Sequence, residues 1–189
     1  MDIKTHFIRM ADYNQRMNGQ IYKACAKLTA DQLRRDCGAF FRSPLGILNH
    51  ILVGDLLWLS RFSLHAQGYT SLIALKALPS PVALDELLYE DFTSLIAARE
   101  RVDTAIKQWL VSEVGDDDFN RTLRYRNSRG QVSEREFAGL VSHLFNHQTH
   151  HRGQLSTVLF QYHIDVGVTD LLIDIPDLQE AAHQQNSPD

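Results

Sequence analysis

The start of the chain carries apolar side chains at alternating spacings of four and three, which is the pattern of one face of a long helix. The positions are Ile3, Phe7, Met10, Asn14, Met17, Ile21, Ala24 and Leu28. A face of this kind has to be buried against other helices, so it favours a helical bundle. Asn14 is the polar exception. It can fix the register of the helix by bonding a neighbour, or it can reach a pocket between helices.

Two capping patterns predict helix starts early in the chain. Thr29 and Gln32 fit a capping box for a short helical turn. Ser43 followed by Pro44 starts the second long helix, because proline is favoured at the first helical position. An apolar run then carries this helix to about Leu64.

Two more long helices are predicted from the spacing of apolar residues farther along the chain. The third covers about 84–112. Before it, glycine and proline punctuate residues 67–81, which predicts a long loop on the outside of the bundle. The fourth helix begins at a capping box formed by Ser133 and Glu136 and ends near Tyr162.

A small β-hairpin is predicted ahead of the fourth helix. Leu123 and Tyr125 alternate with Arg124 and Arg126, and residues 127–130 have the composition of a tight turn. The fold class is therefore all-α, a four-helix bundle with a small β-hairpin before the fourth helix.

Length and composition favour one domain. A chain of 189 residues with 44% hydrophobic content can bury one substantial core. We expect this domain to span residues 1–182, with the segment 171–178 packed back as a short element. Residues 183–189 form a polar tail, for which we expect no fixed structure.

Charge argues against nucleic acid as a partner. The net charge of -4 gives no general attraction to phosphate backbones. A local group of arginines lacks interleaved aromatic residues, which favours a solvated hairpin over a nucleic-acid platform. Its members are Arg121, Arg124, Arg126, Arg129 and Arg135.

The remaining composition favours a soluble cytoplasmic protein without a membrane partner. Cys25 and Cys37 are the only cysteines, which suggests reduced thiols and no disulfide framework. The first residues lack the apolar core of a secretion signal, and no uninterrupted apolar run approaches the roughly 20 residues of a membrane span.

Four of the nine histidines lie within nine residues of the predicted fourth helix. Residues four apart on a helix project from nearly the same face, so two such histidines can meet one metal ion. At about 100° per residue, His151 falls inside the apolar stripe of the helix and His147 lies on its edge. His143 and His150 lie farther round toward the polar side, which is typical of surface residues or of residues that only support a site.

A third ligand is needed, because two protein ligands rarely hold a transition metal alone. His50 is the best donor, since it lies in a segment that is apolar almost all round and its buried imidazole needs a partner. Other interpretations stay open. A core histidine is often satisfied by a carbonyl or a tyrosine hydroxyl, and an acid–base site would use the same residue types.

The chain resembles the DinB/YfiT-like superfamily of four-helix-bundle metalloproteins over most of its length. The shared residues include Tyr13-Asn14, Leu48 to Ile51, Asp55, Trp58 to Arg61, and above all the run from His143 to Gln154. This resemblance implies a metal bound by one histidine of the second helix and two of the fourth, which correspond here to His50, His147 and His151.

Three imidazoles leave one coordination position open for water or substrate, as in a catalytic zinc site. The resemblance favours a thiol-dependent transferase or isomerase that acts on small molecules, with a low-molecular-weight thiol as a candidate partner and a homodimer as the assembly. A metal-dependent hydrolase and a non-enzymatic metal-binding or ligand-binding protein of the stress response are the alternatives. Zinc or nickel is the expected metal, and iron or manganese also fit.

No catalytic residue beyond the metal ligands is assigned from the sequence. Asp55 is five residues from His50, an offset that turns it about 140° away, so it is a doubtful general base and is expected to pair elsewhere. Arg152 lies near the apolar edge of its helix, where an ion pair to a buried carboxylate is favoured over binding of a substrate anion.

Overall fold

The fold is a bundle of four long helices in a computed structural model that describes residues 1–127 and 129–177. These helices are α1 (Ile3–Cys25), α3 (Pro44–Phe62), α5 (Phe92–Gln108) and α7 (Phe137–Gln161). Helices α1 and α3 each pack against both α5 and α7. The predicted all-α class and four-helix bundle are confirmed.

Shorter elements connect the long helices. They are α2 (Ala30–Arg34), α4 (Thr70–Ala74), α6 (Asp116–Phe119), strands β1 (Thr122–Arg126) and β2 (Val132–Glu136), 3-10 turns at Leu75–Ala77 and Leu171–Asp174, and a wide π turn at Trp109–Glu113. The predicted capping box of Thr29 and Gln32 starts α2, and Ser43 caps α3 by accepting a hydrogen bond from the Gly46 amide at 3.1 Å.

The third long helix starts later than predicted. It begins at Phe92, where Asp91 accepts a hydrogen bond from the Ser94 amide at 2.7 Å. The preceding segment is held out of a helix because the Asn49 side chain bonds both the amide and the carbonyl of Tyr89, at 2.9 and 3.0 Å. The predicted start near residue 84 was therefore wrong.

The segment 67–81 is not simply an outer loop. It contains α4, and the Tyr69 and Leu72 side chains are each only 1% exposed in the core. Glu113, from the π turn that follows the third long helix, accepts hydrogen bonds from the backbone and hydroxyl of Ser71. A distant side chain thus caps this helix, which a local sequence pattern does not reveal.

The hairpin is confirmed, but the predicted cap of the fourth helix is wrong. Strand β1 pairs antiparallel with β2, placing Tyr125 opposite Ser133. The strand ladder extends to Glu136, so Ser133 and Glu136 are extended and α7 starts directly at Phe137 without a side-chain cap. The Phe137 amide donates instead to the Arg121 carbonyl at 3.0 Å.

After α7 the chain returns along α1. The Tyr13 hydroxyl donates to the Thr169 carbonyl at 3.0 Å, and Arg16 forms an ion pair with Asp174 at 2.7 Å. The expected packing of segment 171–178 is thus seen for its described part, up to residue 177. The predicted tail 183–189 lies outside the described residues.

Helix α3 is long and apolar enough to cross a membrane by length and composition. However, 72% of that window is buried inside the protein. This burial is typical of the core helix of a soluble fold, and it places His50 in the middle of the bundle.

Candidate metal centre

The structure brings together the three histidines that the sequence predicts as ligands. His50 projects from α3, while His147 and His151 project from successive turns of the adjacent α7. The Nε2 atom of His50 lies 3.0 Å from Nε2 of His147 and 3.1 Å from Nε2 of His151. One ligand atom from each residue lies within 4.8 Å of the other two, so the three are positioned to hold a metal ion.

Two of the rings are oriented by hydrogen bonds on their outer sides. Nδ1 of His50 lies 2.7 Å from the Leu84 carbonyl oxygen, which can only accept, so this nitrogen carries the proton. Nδ1 of His151 lies 2.9 Å from Oε1 of Gln154 and is a donor by the same reasoning. Both Nε2 atoms therefore present lone pairs to the centre of the cluster.

His147 completes the cluster by lying against Gly54 of α3. A Cβ atom added at Gly54 would lie 2.6 Å from Cε1 of His147, closer than real atoms approach. Among the described residues, nothing bonds Nδ1 of His147, which is buried.

Burial keeps these imidazoles neutral. Desolvation lowers the pKa of His147 to about 3, and the neighbouring histidines His151 and His50 add to the effect. Desolvation is also the main cause that lowers the pKa of His50 and of His151. Neutral imidazole is the form that binds a metal, so the cluster is in its ligating state at neutral pH.

Phe41 forms one wall of the cluster, and the sequence interpretation did not include it. Its ring stacks on the His50 ring at 3.5 Å between centroids and meets the edge of the His151 ring at 5.5 Å. The loop before α3 holds it there with Arg42 in a left-handed conformation at φ 66°. No local pattern marks such a loop residue as part of a site.

His143 and His150 lie outside the cluster, as the helix geometry predicts. Both are exposed. The His143 ring packs against Trp58 with centroids 5.2 Å apart, while Nε2 of His150 lies 3.1 Å from the amide nitrogen of Gln154. Gln154 thereby connects His150 with His151, a role that the sequence interpretation did not assign to it.

Asp55 does not face the cluster. It is fully buried on the core side of α3, where it accepts a hydrogen bond from Arg99 of α5. Burial raises the pKa of Asp55 to about 6, against the opposing effect of Arg99. Its predicted pairing with a residue elsewhere is confirmed.

Arg152 is buried, but the predicted ion pair to a carboxylate is absent among the described residues. Its guanidinium donates to the side-chain oxygens of Asn14, Asn18 and Gln148. Asn18 in turn donates to Asp103 at 2.9 Å, so an amide separates the two charges. Asn14 belongs to this network and does not reach the metal centre.

The fold and site define an all-α bundle with a three-histidine cluster between two adjacent helices. Residues 1–187 match the DinB family, and the chain belongs to that family. The protein named Protein DinB of Bacillus subtilis (strain 168) is 25% identical over 156 residues, which cover 81% of this chain and 84% of that protein. No solved structure gave a significant match.

Proposed function

We propose that His50, His147 and His151 bind one divalent transition metal and that the protein is a metal-dependent transferase acting on small molecules with a thiol as the nucleophile. One observation carries the proposal. The Nε2 atoms of His50 and His151 are both acceptors, yet they face each other at 3.1 Å. Such lone pairs repel one another unless a cation lies between them.

The donor set fits a metal in charge, chemistry and spacing. Metal–nitrogen bonds of about 2.0 to 2.1 Å in a tetrahedron place the nitrogens about 3.3 Å apart. The distances of 3.0 and 3.1 Å from Nε2 of His50 to Nε2 of His147 and His151 need to increase only slightly to reach this spacing. Imidazole suits zinc and nickel, and it also accepts iron.

A metal bound here would supply an open position at which a thiol loses its proton. The chain's own residues do the positioning. The Leu84 carbonyl accepts a hydrogen bond from Nδ1 of His50, and the Gln154 side chain accepts one from Nδ1 of His151. The Nε2 lone pairs of both histidines therefore stay directed inward. Phe41 covers the His50 ring and keeps water from that side.

A thiol is favoured over water as the reactant because no carboxylate belongs to the cluster among the described residues. Hydrolytic metal sites commonly use such a group as a general base. Asp55, the acid closest to His50 in sequence, forms an ion pair with Arg99 on the other side of α3.

Metal binding is tested on protein purified without a tag and without a nickel column. We expect about one equivalent of metal in the wild type and severe loss in His50→Gln, His147→Gln and His151→Gln. His150→Gln is the matched control, since it lies one residue from a ligand but points to solvent. Equal losses in His150→Gln and His147→Gln would contradict the assignment.

Catalysis is tested with a panel of thiols and electrophilic substrates on the metal-loaded protein. Turnover should require both thiol and metal, and it should be lost in His151→Ala while the circular dichroism of the bundle persists. Turnover with water alone would identify a hydrolase. Metal binding without any turnover would identify a binding protein.

The proposal includes a cytoplasmic homodimer that binds neither nucleic acid nor membranes. Sedimentation analysis of the untagged protein tests the assembly. A single monomeric species at micromolar concentration would contradict that part and leave the metal centre unaffected.

A further inference from the structure

The outer nitrogens of His50 and His151 face groups of different kinds. Nδ1 of His50 donates to the main-chain carbonyl of Leu84 at 2.7 Å. A carbonyl can only accept, so Nε2 of the neutral His50 ring always presents a lone pair. Nδ1 of His151 instead faces the side-chain amide of Gln154 at 2.9 Å. An amide has an acceptor at one end and a donor at the other, so its orientation decides which nitrogen of His151 carries the proton.

The Gln154 amide lies between two histidine rings and can bond both of them in either orientation. Its oxygen faces Nδ1 of His151, and its nitrogen lies 3.1 Å from Nε2 of His150. Turning the amide end over end exchanges these two atoms and reverses both bonds, so that Gln154 donates to His151 and accepts from His150. Each histidine then moves its single proton to its other ring nitrogen by exchange with water. Both rings stay neutral, and no proton is gained or lost overall.

The turned arrangement removes the repulsion inside the cluster. Nε2 of His151 then carries the proton and lies 3.1 Å from the lone pair on Nε2 of His50, which is within hydrogen-bond length. Without a cation, the turned arrangement is favoured because the original one leaves two lone pairs face to face. With a cation, the original arrangement is favoured because it alone presents the lone pairs of both His50 and His151.

We propose that Gln154 is a positioning residue with two states, which together form the Gln154 switch. In one state it directs the His151 lone pair at the metal, and in the other it holds His151 as a hydrogen-bond donor to His50. The inference rests on the proposed function, since a bound cation is what favours the first state. His147 has no such control, because nothing among the described residues bonds its Nδ1. The apparent metal affinity is therefore reduced by the fraction of metal-free molecules in which the amide is turned.

Long-range proton–nitrogen correlation spectra of protein with ¹⁵N-labelled histidine show which ring nitrogen carries the proton. At neutral pH we expect His151 to be protonated on Nδ1 in the zinc-loaded protein and on Nε2 after chelation. His50 should be protonated on Nδ1 in both samples, because the Leu84 carbonyl accepts from it in both.

Two substitutions of Gln154 separate the switch from a merely structural role. Gln154→Glu places a carboxylate there, which accepts at both ends, so His151 should keep its Nδ1 proton even after chelation. Gln154→Leu removes the outer acceptor, so zinc affinity should fall at least about tenfold, as on loss of an outer partner of a metal ligand. After chelation His151 should still be protonated on Nε2 in Gln154→Leu, since His50 accepts from it.

Gly153→Glu is the matched control for the added charge. Nothing lies within 4 Å of a Cβ atom added at Gly153, and its side chain projects about 100° away from that of Gln154. This variant should therefore move the His151 proton on chelation as the wild type does. His150→Gln should do the same, because a glutamine side chain can accept or donate as His150 does.

The outcomes distinguish this inference from the proposed function. A proton on Nδ1 of His151 in the metal-free wild type would overturn the Gln154 switch and leave the metal centre standing. It would also identify His147, whose Nε2 lies 3.0 Å from that of His50, as the donor to His50. A proton that moves to Nε2 of His151 in chelated Gln154→Glu would overturn the switch as well. If zinc changes the spectra of none of the three ligand histidines, the metal centre itself fails, and the switch fails with it.

Discussion

At Gly54, helix α3 has no side chain, and the His147 ring occupies the space. The distance of 2.6 Å from a would-be Cβ to Cε1 of His147 leaves no room for a methyl group. Glycine in a helix costs about 1 kcal/mol relative to alanine. That cost is offset here by the close approach of a proposed ligand to the helix that carries His50.

Gly54→Ala should push His147 out of the cluster and lower metal affinity at least about tenfold, as changes beside metal ligands do. Competition with a chromogenic chelator measures this. Gly153→Ala is the control, since nothing lies within 4 Å of the added methyl group and it is also in a helix near the cluster. Unchanged affinity in Gly54→Ala would show that the ring is free to adjust.

The sequence could identify those site residues whose position depends on a single helix. The position of His147 and His151 depends on the rotation of one helix, which apolar periodicity reveals, and His50 stands out as a polar residue in an apolar run. Gly54, Phe41 and the carbonyl of Leu84 depend on how separate segments meet, which no local pattern contains.

At the scale of the elements, a buried polar cluster connects the helices on the core side of the metal centre. Arg99 of α5 forms ion pairs with Asp55 of α3 and with Asp103 within its own helix. Both acids and the guanidinium are at most 5% exposed. Paired charges at this depth are costly to separate, because a remaining partner is left without water.

Arg99→Met should destabilise the metal-free protein by about 3 to 5 kcal/mol, since it leaves two buried carboxyl groups without their cation. Urea denaturation in the presence of a chelator measures the loss. Lys107→Met is the comparison: Lys107 pairs with Asp12 at the surface, with both side chains more than 40% exposed, and should change stability by at most about 1 kcal/mol. Equal losses in the two variants would contradict the role of the buried cluster.

The sequence predicts the long helices better than the connections between them. Apolar spacing gave all four helices, and Ser43 with Pro44 marked the start of α3. The start of α5 depends on Asn49 bonding Tyr89 across 40 residues, and the cap of α4 depends on Glu113 from a separate turn. Such long-range bonds override the local capping signals.

For the whole molecule, the buried histidines determine how stability depends on pH. The pKa of His147 falls to about 3 in the folded protein, whereas an unfolded histidine titrates near 6.5. Above that pH neither state is protonated. As pH falls below it, the unfolded chain takes up protons that the folded chain does not, so stability decreases.

Metal-free protein should lose about 2 kcal/mol between pH 7.5 and pH 5 from His147 alone. The proposed ligands His50 and His151 and the separate core residue His65 also have lowered pKa values and add to the loss. Denaturation curves at the two pH values measure it. His147→Gln should show a smaller decrease than the wild type, and a stability that rises toward pH 5 would contradict the burial argument.

Removing the metal should lower the melting temperature without unfolding the bundle. Binding contributes about 2.7 kcal/mol when free metal is one hundred times its dissociation constant, while the core extends along all four long helices without it. Thermal melts with and without a chelator measure the shift, and His147→Gln should show none. Complete unfolding on chelation would indicate a structural metal instead.

The two neighbours Asn49 and His50 together hold the irregular segment 84–89 against α3, one through Tyr89 and the other through the carbonyl of Leu84. A change that moves the His50 ring therefore also loosens the segment 84–89, in which Leu84 and Leu87 are about half exposed. A protease that cleaves after leucine can thus report on the occupancy of the buried cluster. We expect cleavage in the segment 84–89 to be slow with metal bound and faster after chelation.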